Sequence, residues 1–278
     1  MTIRATILCE NSVGIPIGAI GEHGFACFLE TDQGNYLFDT GQGLGIMANA
    51  AVLRKDLTSI KAIMISHGHY DHTGGLPMVL KTRGPVDVYG HPEIFRRREG
   101  EHNGRVFDIG IPFRRNYLEG WGARFRFSRE LTEVGPGVYL TGEIPRNTDF
   151  EKGDANMTAW GEDGNAIKPD PLNDDLSLLV ESDKGLIVIL GCAHAGMVNV
   201  LDYATKTLGH DRIYAVIGGT HLGFADSARF EATMGAIDRY RIEKIGVSHC
   251  TGPVNAAKMH ALLAERYFFG SVGAVIEA

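Results

Sequence analysis

The feature that most constrains this chain is an apolar, strand-like run that ends in a cluster of histidines. An Ile-Lys-Ala-Ile-Met-Ile run at 60–65 is followed by His-Gly-His-Tyr-Asp-His, which begins at His67. Alternate side chains of an extended segment point to the same side, so His67 and His69 can bind one metal ion. Asp71 and His72 follow where the chain turns, and they can bind a second ion. The alternative is that the whole motif is a chance cluster of residues on a solvated loop. Imidazole and carboxylate ligands suit zinc, iron, manganese or nickel, so the motif predicts a metal site at the end of a buried strand.

This motif resembles the His-x-His-x-Asp-His signature of the metallo-β-lactamase superfamily, and the resemblance covers most of the chain. Upstream, the sequence Tyr-Leu-Phe-Asp-Thr-Gly at 36–41 resembles the superfamily's apolar strand followed by Asp-x-Gly. The resemblance implies that Asp39 supports a metal-binding histidine by fixing its ring and tautomer. It also implies an α/β fold, an αββα sandwich of two mixed β-sheets flanked by helices, as a single domain over residues 1–278.

Three downstream segments resemble one branch of that superfamily. They are Gly-Cys-Ala-His-Ala-Gly-Met-Val-Asn at 191–199, Gly-Gly-Thr-His-Leu at 218–222 and Ser-His-Cys-Thr-Gly at 248–252. Together they are similar to the dihydropterin ribofuranosyl-aminobenzene phosphate synthase-like branch, which includes many predicted metal-dependent hydrolases. Each segment follows an apolar run typical of a strand. Because ligands of open α/β sheets gather beyond the carboxyl ends of strands, the three segments are expected to meet at one site.

Each of these segments contributes one histidine to the predicted site. His249 resembles the last metal-binding histidine of the superfamily. His194 is a further candidate metal ligand, and its alternative role is a buried histidine that bonds a glycine carbonyl. His221 has three open roles: a proton donor to the leaving group, a metal ligand, or a structural histidine.

Cys192 and Asp175 depart from the superfamily pattern. Cys192 stands where many members carry an aspartate that bridges two metal ions, and a thiolate is a softer ligand than a carboxylate. Either Cys192 is a ligand, or it is a small buried residue and His194 takes over coordination; the second interpretation is favoured. Asp175 lies where many relatives have a metal-binding histidine and is either a substitute ligand or a turn aspartate. We therefore predict that the site binds one or two divalent metal ions. Zinc is the favoured metal, and manganese, iron and magnesium are the alternatives.

The segment 91–171 has little sustained periodicity and is rich in arginine. Its arginines include Arg96, Arg97, Arg98, Arg105, Arg114, Arg115, Arg124, Arg126, Arg129 and Arg146. One interpretation is a set of solvated loops in which arginine stems cover an edge of the core. The other is a substrate-recognition insertion in which some arginines bind a carboxylate or phosphate. Arg146 is the arginine expected to face the site and bind substrate.

The composition of the chain limits the kinds of molecule that it is expected to bind. A net charge of −7 disfavours nucleic-acid binding, which needs a basic surface. No apolar run approaches the roughly 20 residues that span a bilayer. The four cysteines show no paired spacing typical of a disulfide framework. We expect a cytoplasmic protein with a small anionic substrate and neither nucleic acid nor membrane as partner, and a homo-oligomer is left open.

The leading functional hypothesis is hydrolysis of an ester, lactone or phosphate-type bond by metal-activated water. Asp71 is then both a ligand and an acceptor of the water's proton, and His221 is the donor to the leaving group. The branch resemblance implies an alternative, a group transfer that displaces pyrophosphate from a pterin. A diiron redox or metal-sensing protein is a third hypothesis. It is disfavoured because the remaining chain has no room for a flavodoxin-like domain.

Overall fold

The computed structural model describes residues 1–14, 16, 18–161 and 163–278. Within them, the strands are β1 (Ile3–Cys9), β2 (Ala26–Thr31), β3 (Gly34–Phe38), β4 (Ile60–Met64), β5 (Val86–Gly90), β6 (Arg98–His102), β7 (Arg105–Asp108), β8 (Ala123–Phe127), β9 (Thr132–Gly135), β10 (Val138–Leu140), β11 (Met157–Trp160), β12 (Ala166–Ile167), β13 (Ser177–Ser182), β14 (Gly185–Leu190), β15 (Ile213–Gly219), β16 (Lys244–Ser248), β17 (Tyr267–Phe269) and β18 (Val275–Glu277).

The helices of the described residues are mostly short. The α-helices are α1 (Ile46–Val52), α2 (Tyr70–Thr73), α3 (Leu76–Arg83), α4 (Arg115–Gly120), α5 (Met197–Leu208), α6 (Ser227–Arg239) and α7 (Pro253–Leu263). Single turns of 3-10 helix cover Leu57–Ser59, Leu222–Phe224, His249–Thr251 and Ala264–Arg266. None of these described helices combines the length and apolar character needed to cross a lipid bilayer.

Two mixed seven-stranded sheets form the centre of the described fold. The first has the order β18-β1-β2-β3-β4-β5-β8, and the second has the order β17-β16-β15-β14-β13-β10-β9. Strands β3, β4, β5 and β8 run parallel in the first sheet. Strands β14 to β17 run parallel in the second. Their carboxyl ends therefore provide two rows of strand ends at which side chains can be presented.

The layers are held together by three apolar clusters. Side chains such as Phe38 and Ile217 pack between the two sheets. A second cluster joins α1, α3 and α4 to the outer face of the first sheet. A third joins α5, α6 and α7 to the outer face of the second. The order of layers is helix, sheet, sheet, helix, which confirms the predicted α/β sandwich.

The arginine-rich segment is not one inserted unit. Strand β8 forms an edge of the first sheet, and β9 and β10 complete the second. Among the described residues of this segment, only β6, β7, β11 and β12 form a separate sheet, in the order β12-β11-β6-β7. A single insertion over 91–171 is therefore too broad a prediction. The edge strands are short and partly exposed, so most of them lack a long apolar run. The alternation of arginine and phenylalanine along β8 is nevertheless typical of a half-buried strand and could have marked it.

Candidate metal centre

Strand ends from both sheets bring the predicted residues together. Each strand ends a few residues before a candidate site residue. In the first sheet, Asp39 follows β3 and the turn of His67 follows β4. In the second sheet, Cys192 and His194 follow β14, His221 follows β15 and His249 follows β16. Four residues here have a backbone φ between 53° and 58°: Asp39, Ala193, His221 and His249. That left-handed region is uncommon for residues with a side chain, and such strain clusters at functional sites. At Gly191 a Cβ would lie 2.3 Å from Ser66 Oγ, so glycine permits the two sheets to approach here.

One group of candidate ligands surrounds His67. Its Nε2 lies 3.0 Å from Nδ1 of His69. The ring centroid of His194 is 4.9 Å from that of His67 and 5.0 Å from that of His69. One ligand atom each from His67, Cys192 and His194 lies within 4.8 Å of the others. His67, Cys192 and His194 can therefore converge on a single ion, and His69 lies next to them.

The buried nitrogens of this group fit a metal ion. Nε2 of His69 and both ring nitrogens of His194 have no hydrogen-bond partner among the described residues. A buried polar group left unpaired costs about 1–3 kcal/mol. Burial lowers the pKa of His67 and of His194 well below the usual value, and it lowers that of His69 to about 3. The rings therefore stay neutral, which is the state in which histidine binds a divalent metal.

A second group of candidate ligands lies beside the first. Nε2 of His72 is 3.2 Å from Sγ of Cys192 and 3.7 Å from Oδ2 of Asp71. The same Asp71 oxygen is 3.1 Å from Nε2 of His249. It is also 3.3 Å from Nε2 of His23, which is half exposed. His23 could not be predicted from the sequence, because it stands outside every recognised motif.

Cys192 joins the two groups. Its thiol is buried and belongs both to the group with His67 and His194 and to the group with His72 and His249. This placement favours Cys192 as a ligand over the interpretation preferred from the sequence, in which it is only a small buried residue. Both interpretations require burial, so the sequence could not separate them. Burial raises the pKa of the thiol far above its usual value, and metal binding is what favours a thiolate in such a place.

Asp39 holds the ring of His72 by its Nδ1 atom, on the side away from Cys192. Its Oδ2 lies 2.7 Å from His72 Nδ1 and accepts a hydrogen bond from Ser66 Oγ at 2.7 Å. Its Oδ1 accepts the backbone N–H of Ser66 at 2.7 Å. Burial opposes a charge on His72, but Asp71 and Asp39 outweigh burial and raise its pKa to about 9, so a metal ion at Nε2 would have to displace that proton. The contact leaves Nε2 of His72 free to face Cys192 and Asp71.

Replacing Asp39 with asparagine is expected to weaken metal binding by about 10- to 100-fold. The amide nitrogen cannot accept a hydrogen bond, so the side chain no longer satisfies His72 and both Ser66 donors. Competition with a chelator measures the change in affinity. Asp56→Asn, at an exposed aspartate that caps the turn Leu57–Ser59, should bind metal as the wild type does. Equal affinities for the two variants would contradict the role given to Asp39.

Two residues after β1 position His249, and the sequence analysis missed both. Oε1 of Glu10 accepts the backbone N–H of His249 at 2.6 Å. Oδ1 of Asn11 lies 3.0 Å from Nδ1 of His249. When Nδ1 donates to Asn11, Nε2 is left free for a metal ion. No local pattern marks either residue, because each acts on a histidine more than 200 positions away.

The turn of His67 and His69 rests on a buried ion pair. Arg98 is fully buried and donates to Asp170 at 2.8 Å and to Asp174 at 2.6 Å. Asp174 also accepts the backbone N–H of Gly68, the residue between the two histidines, at 2.9 Å. Arg98 therefore acts on the metal turn through Asp174, whereas the sequence analysis offered only a solvated or a substrate-binding role for the arginines of this segment.

Asp175 and Arg146 support the turn of His194. Oδ2 of Asp175 accepts the backbone N–H of Ala195 at 2.7 Å, and burial raises the pKa of Asp175 to about 6. This backbone contact fits the turn role of Asp175, and the alternative ligand role has in its favour that Oδ1 is buried without a hydrogen-bond partner among the described residues. Arg146 donates to the carbonyls of His194 at 2.9 Å and Pro171 at 2.6 Å. Arg146 lies beside the site, but two nitrogens of its guanidinium group already donate hydrogen bonds to these backbone carbonyls.

Cationic groups gather on the His194 side of the centre. The ring centroid of His221 is 4.4 Å from that of His194, and its Nε2 is 3.8 Å from Oδ2 of Asp154. Burial opposes protonation of His221, but Asp154 and Cys250 raise its pKa to about 9. Arg229, which is close enough to disfavour that proton, is buried, and its Nε lacks a partner among the described residues. Asp154 beside His221 and Glu151 near Arg229 offset part of this positive charge.

Comparisons with known proteins show the family to which the chain belongs. Residues 20–249 match the sequence profile of the metallo-beta-lactamase superfamily. The chain is 31% identical to the 7,8-dihydropterin-6-methyl-4-(beta-D-ribofuranosyl)-aminobenzene-5'-phosphate synthase of Methanocaldococcus jannaschii, over 90% of this chain and 88% of that one. It is 27% identical to a metal-dependent hydrolase of the beta-lactamase superfamily of known structure, with a TM-score of 0.85 and 99% of both chains covered. A diphosphatase of the PhnP family shares the fold, with 13% identity and a TM-score of 0.53 over 100% of this chain and 98% of that one.

Proposed function

The chain belongs to the metallo-β-lactamase superfamily and to its dihydropterin ribofuranosyl-aminobenzene phosphate synthase-like branch, and we propose that it is a metal-dependent hydrolase of a small anionic substrate. The bond cleaved is of the ester, lactone or phosphate type. The observation that carries this proposal is the thiol of Cys192, which is shared by two adjacent groups of candidate ligands. Such an arrangement suits a centre with two metal ions.

We assign the candidate ligands to two ions. His67, His69 and His194 would hold one ion, and Asp71, His72 and His249 would hold the other. Cys192 belongs to the candidate ligands of both. Zinc suits this mixture of imidazole, carboxylate and thiolate better than magnesium, which prefers oxygen ligands. When bound, such ions make water a competent nucleophile at neutral pH and polarise the bond under attack.

The chain's own side chains supply proton transfer and orientation. Asp71 presents a carboxylate oxygen between His72 and His249 and accepts a proton from the attacking water. His221 lies next to His194 and donates a proton to the leaving group. Arg229 and His221 together attract the anionic part of the substrate, which fixes the position of the bond to be cleaved.

Turnover of simple substrates tests this proposal. Protein loaded with zinc or manganese is expected to hydrolyse bis(p-nitrophenyl) phosphate or an aryl ester, and a chelator should abolish the activity until metal is restored. His221→Asn is expected to lower kcat by about 100-fold or more while the metal content is unchanged, because general acid catalysis is lost. Metal-loaded wild-type protein that hydrolyses neither class of substrate would argue against a hydrolase.

Replacing Cys192 with alanine is expected to lower metal content by about one ion per chain, because the ligand shared by both groups is lost. Cobalt substitution provides a second measurement, since a thiolate ligand gives a charge-transfer band in the near ultraviolet. That band should disappear in Cys192→Ala and persist in Cys250→Ala, whose thiol lies outside the metal-capable groups of the described residues. A band that survives in Cys192→Ala would exclude this thiol as a ligand.

A second candidate is a group transfer that displaces pyrophosphate from a pterin diphosphate. It is supported by the 31% identity to a synthase whose product carries a dihydropterin. The cationic groups near His194 would then stabilise the leaving diphosphate rather than orient a hydrolysed bond. Pyrophosphate release that requires both a pterin diphosphate and a ribofuranosyl-aminobenzene phosphate would favour transfer. Release with water as the sole acceptor would favour hydrolysis.

A further inference from the structure

Two cysteines that are distant in the sequence meet at the metal centre. Cys192 follows β14, and Cys250 lies in the single turn of 3-10 helix that follows β16. The thiol of Cys250 donates a hydrogen bond to the backbone carbonyl of Cys192, with 3.4 Å between sulfur and oxygen. The two residues are 58 positions apart, so their contact is created by the fold and not by a local motif.

Gly219, the last residue of β15, makes this contact possible. Strand β15 lies between β14 and β16 in the second sheet. A Cβ at Gly219 would lie 2.7 Å from Sγ of Cys250, closer than Cβ atoms approach other atoms, and 3.2 Å from Cα of Cys192. A side chain at this position would therefore stand between the two cysteines. Glycine lets the thiol of Cys250 reach across the end of β15 to Cys192.

The thiol of Cys192 lies next to both the candidate metal ligands and Cys250. Its Sγ is 3.2 Å from Nε2 of His72. Burial is the main cause that raises the pKa of this thiol, and the neighbouring thiol of Cys250 is the next. The two sulfur atoms are therefore neighbours. To bond with Cys250, Cys192 must turn its Sγ away from His72.

The other two cysteines do not form such a pair. Cys9 packs in the cluster on the outer face of the first sheet, whereas Cys27 packs in the cluster between the two sheets. Their thiols therefore lie on opposite faces of that sheet. Cys250 is partly exposed and the other three cysteines are buried, so an oxidant from solution meets Cys250 first.

We propose that Cys192 and Cys250 form an oxidisable dithiol, which a hydroperoxide converts to a disulfide when the metal centre is empty. With hydrogen peroxide, the O–O bond breaks, one oxygen forms a sulfenic acid on Cys250 and the other leaves as water. The thiol of Cys192 then attacks the sulfur of Cys250, the S–S bond forms, and a second water leaves. The two sulfurs lose two electrons in total, and the peroxide gains them.

The disulfide removes a candidate metal ligand. Metals bind the thiolate of a cysteine, and a sulfur in a disulfide no longer carries that charge. Oxidised protein is expected to take up about one ion fewer per chain, because Cys192 belongs to both groups of candidate ligands. Bound metal should in turn slow the oxidation. These two effects rest on the proposed function, whereas the disulfide itself depends only on the two thiols.

Thiol counting and mass spectrometry test the proposal. Protein as purified and protein stripped of metal by a chelator are treated with hydrogen peroxide, and free thiols are then alkylated. The stripped protein is expected to lose two of its four free thiols and the mass of two hydrogen atoms. Dithiothreitol should restore both thiols and the metal uptake. Peptide mapping should place the bond between Cys192 and Cys250, and protein as purified should form it more slowly.

Two variants make the test specific. Cys250→Ser should form no disulfide, and before oxidation it should bind as much metal as the wild type. Cys27→Ala is the matched control, because it removes a buried thiol elsewhere and should form the disulfide as the wild type does.

The outcomes separate the dithiol from the proposed hydrolysis. Stripped protein that keeps its native circular dichroism spectrum and all four thiols overturns the dithiol, as does a sulfinic acid on Cys250 without a bond to Cys192. A disulfide that still forms in Cys250→Ser also overturns it. A mapped bond between Cys192 and Cys250 supports the dithiol even if the protein hydrolyses neither class of substrate.

Discussion

Replacing Arg98 with alanine is expected to lower the free energy of unfolding by about 3–5 kcal/mol. The substitution leaves the carboxylates of Asp170 and Asp174 buried without their cation, and removal of one partner of a buried pair is far more costly than loss of an exposed pair. Chemical denaturation of the wild type and the variant measures the difference. The turn of His67 and His69 should also loosen, because Asp174 holds the N–H of Gly68.

Arg97→Ala is the matched control for this prediction. Arg97 is the neighbouring residue, is exposed, pairs with Glu99 at 2.6 Å and lies over the ring of Trp160. Its loss should change stability by less than about 1 kcal/mol, as is usual for exposed ion pairs. Arg98→Lys should fall between the two, because a lysine keeps the charge but cannot donate to both carboxylates from a planar group. If Arg97→Ala and Arg98→Ala lower the free energy of unfolding by similar amounts, the buried ion pair contributes no more to stability than the exposed one, which contradicts the prediction.

Replacing His72 with alanine is expected to reduce metal-dependent activity by at least about 100-fold. Loss of a residue that only supports a ligand already costs 10- to 100-fold in many metal sites, and His72 is itself a candidate ligand. Its imidazole contacts Asp39 on one side and Cys192 on the other, so the variant loses both the ligand and its anchored position. Activity and bound metal should be measured on the same samples.

Two further variants make the His72 prediction specific. His102→Ala removes an exposed histidine from the β6–β7 hairpin and should keep full activity and metal content. His72→Gln keeps a polar side chain near Asp39 and should retain the fold while losing metal. Wild-type activity in folded His72→Gln would contradict the assignment of His72 as a ligand.

The sequence predicted the parts of the site that are encoded locally. His67, His69, Asp71 and His72 lie within six consecutive positions, and a strand followed by a turn is enough to bring them together. Asp39 was recognised because it ends an apolar strand in a known pattern. The αββα order of layers followed from the same superfamily resemblance and is confirmed.

Residues that act across the fold could not be predicted in this way. Glu10 and Asn11 meet His249 only because β1 and β16 end at the same place. Nothing in the sequence distinguishes buried Arg98 from exposed Arg97, since the difference lies in two aspartates more than 70 positions away. The role of Cys192 was undecided for the same reason, because its position between two groups of ligands is a property of the assembled site.

Metal content per chain, measured by elemental analysis of protein purified without added metal or chelator, tests the central claim most directly. We predict about two equivalents of a divalent metal, because two adjacent groups of candidate ligands share Cys192. Protein that contains no metal and takes up none on titration would contradict the assignment of these histidines as a metal centre.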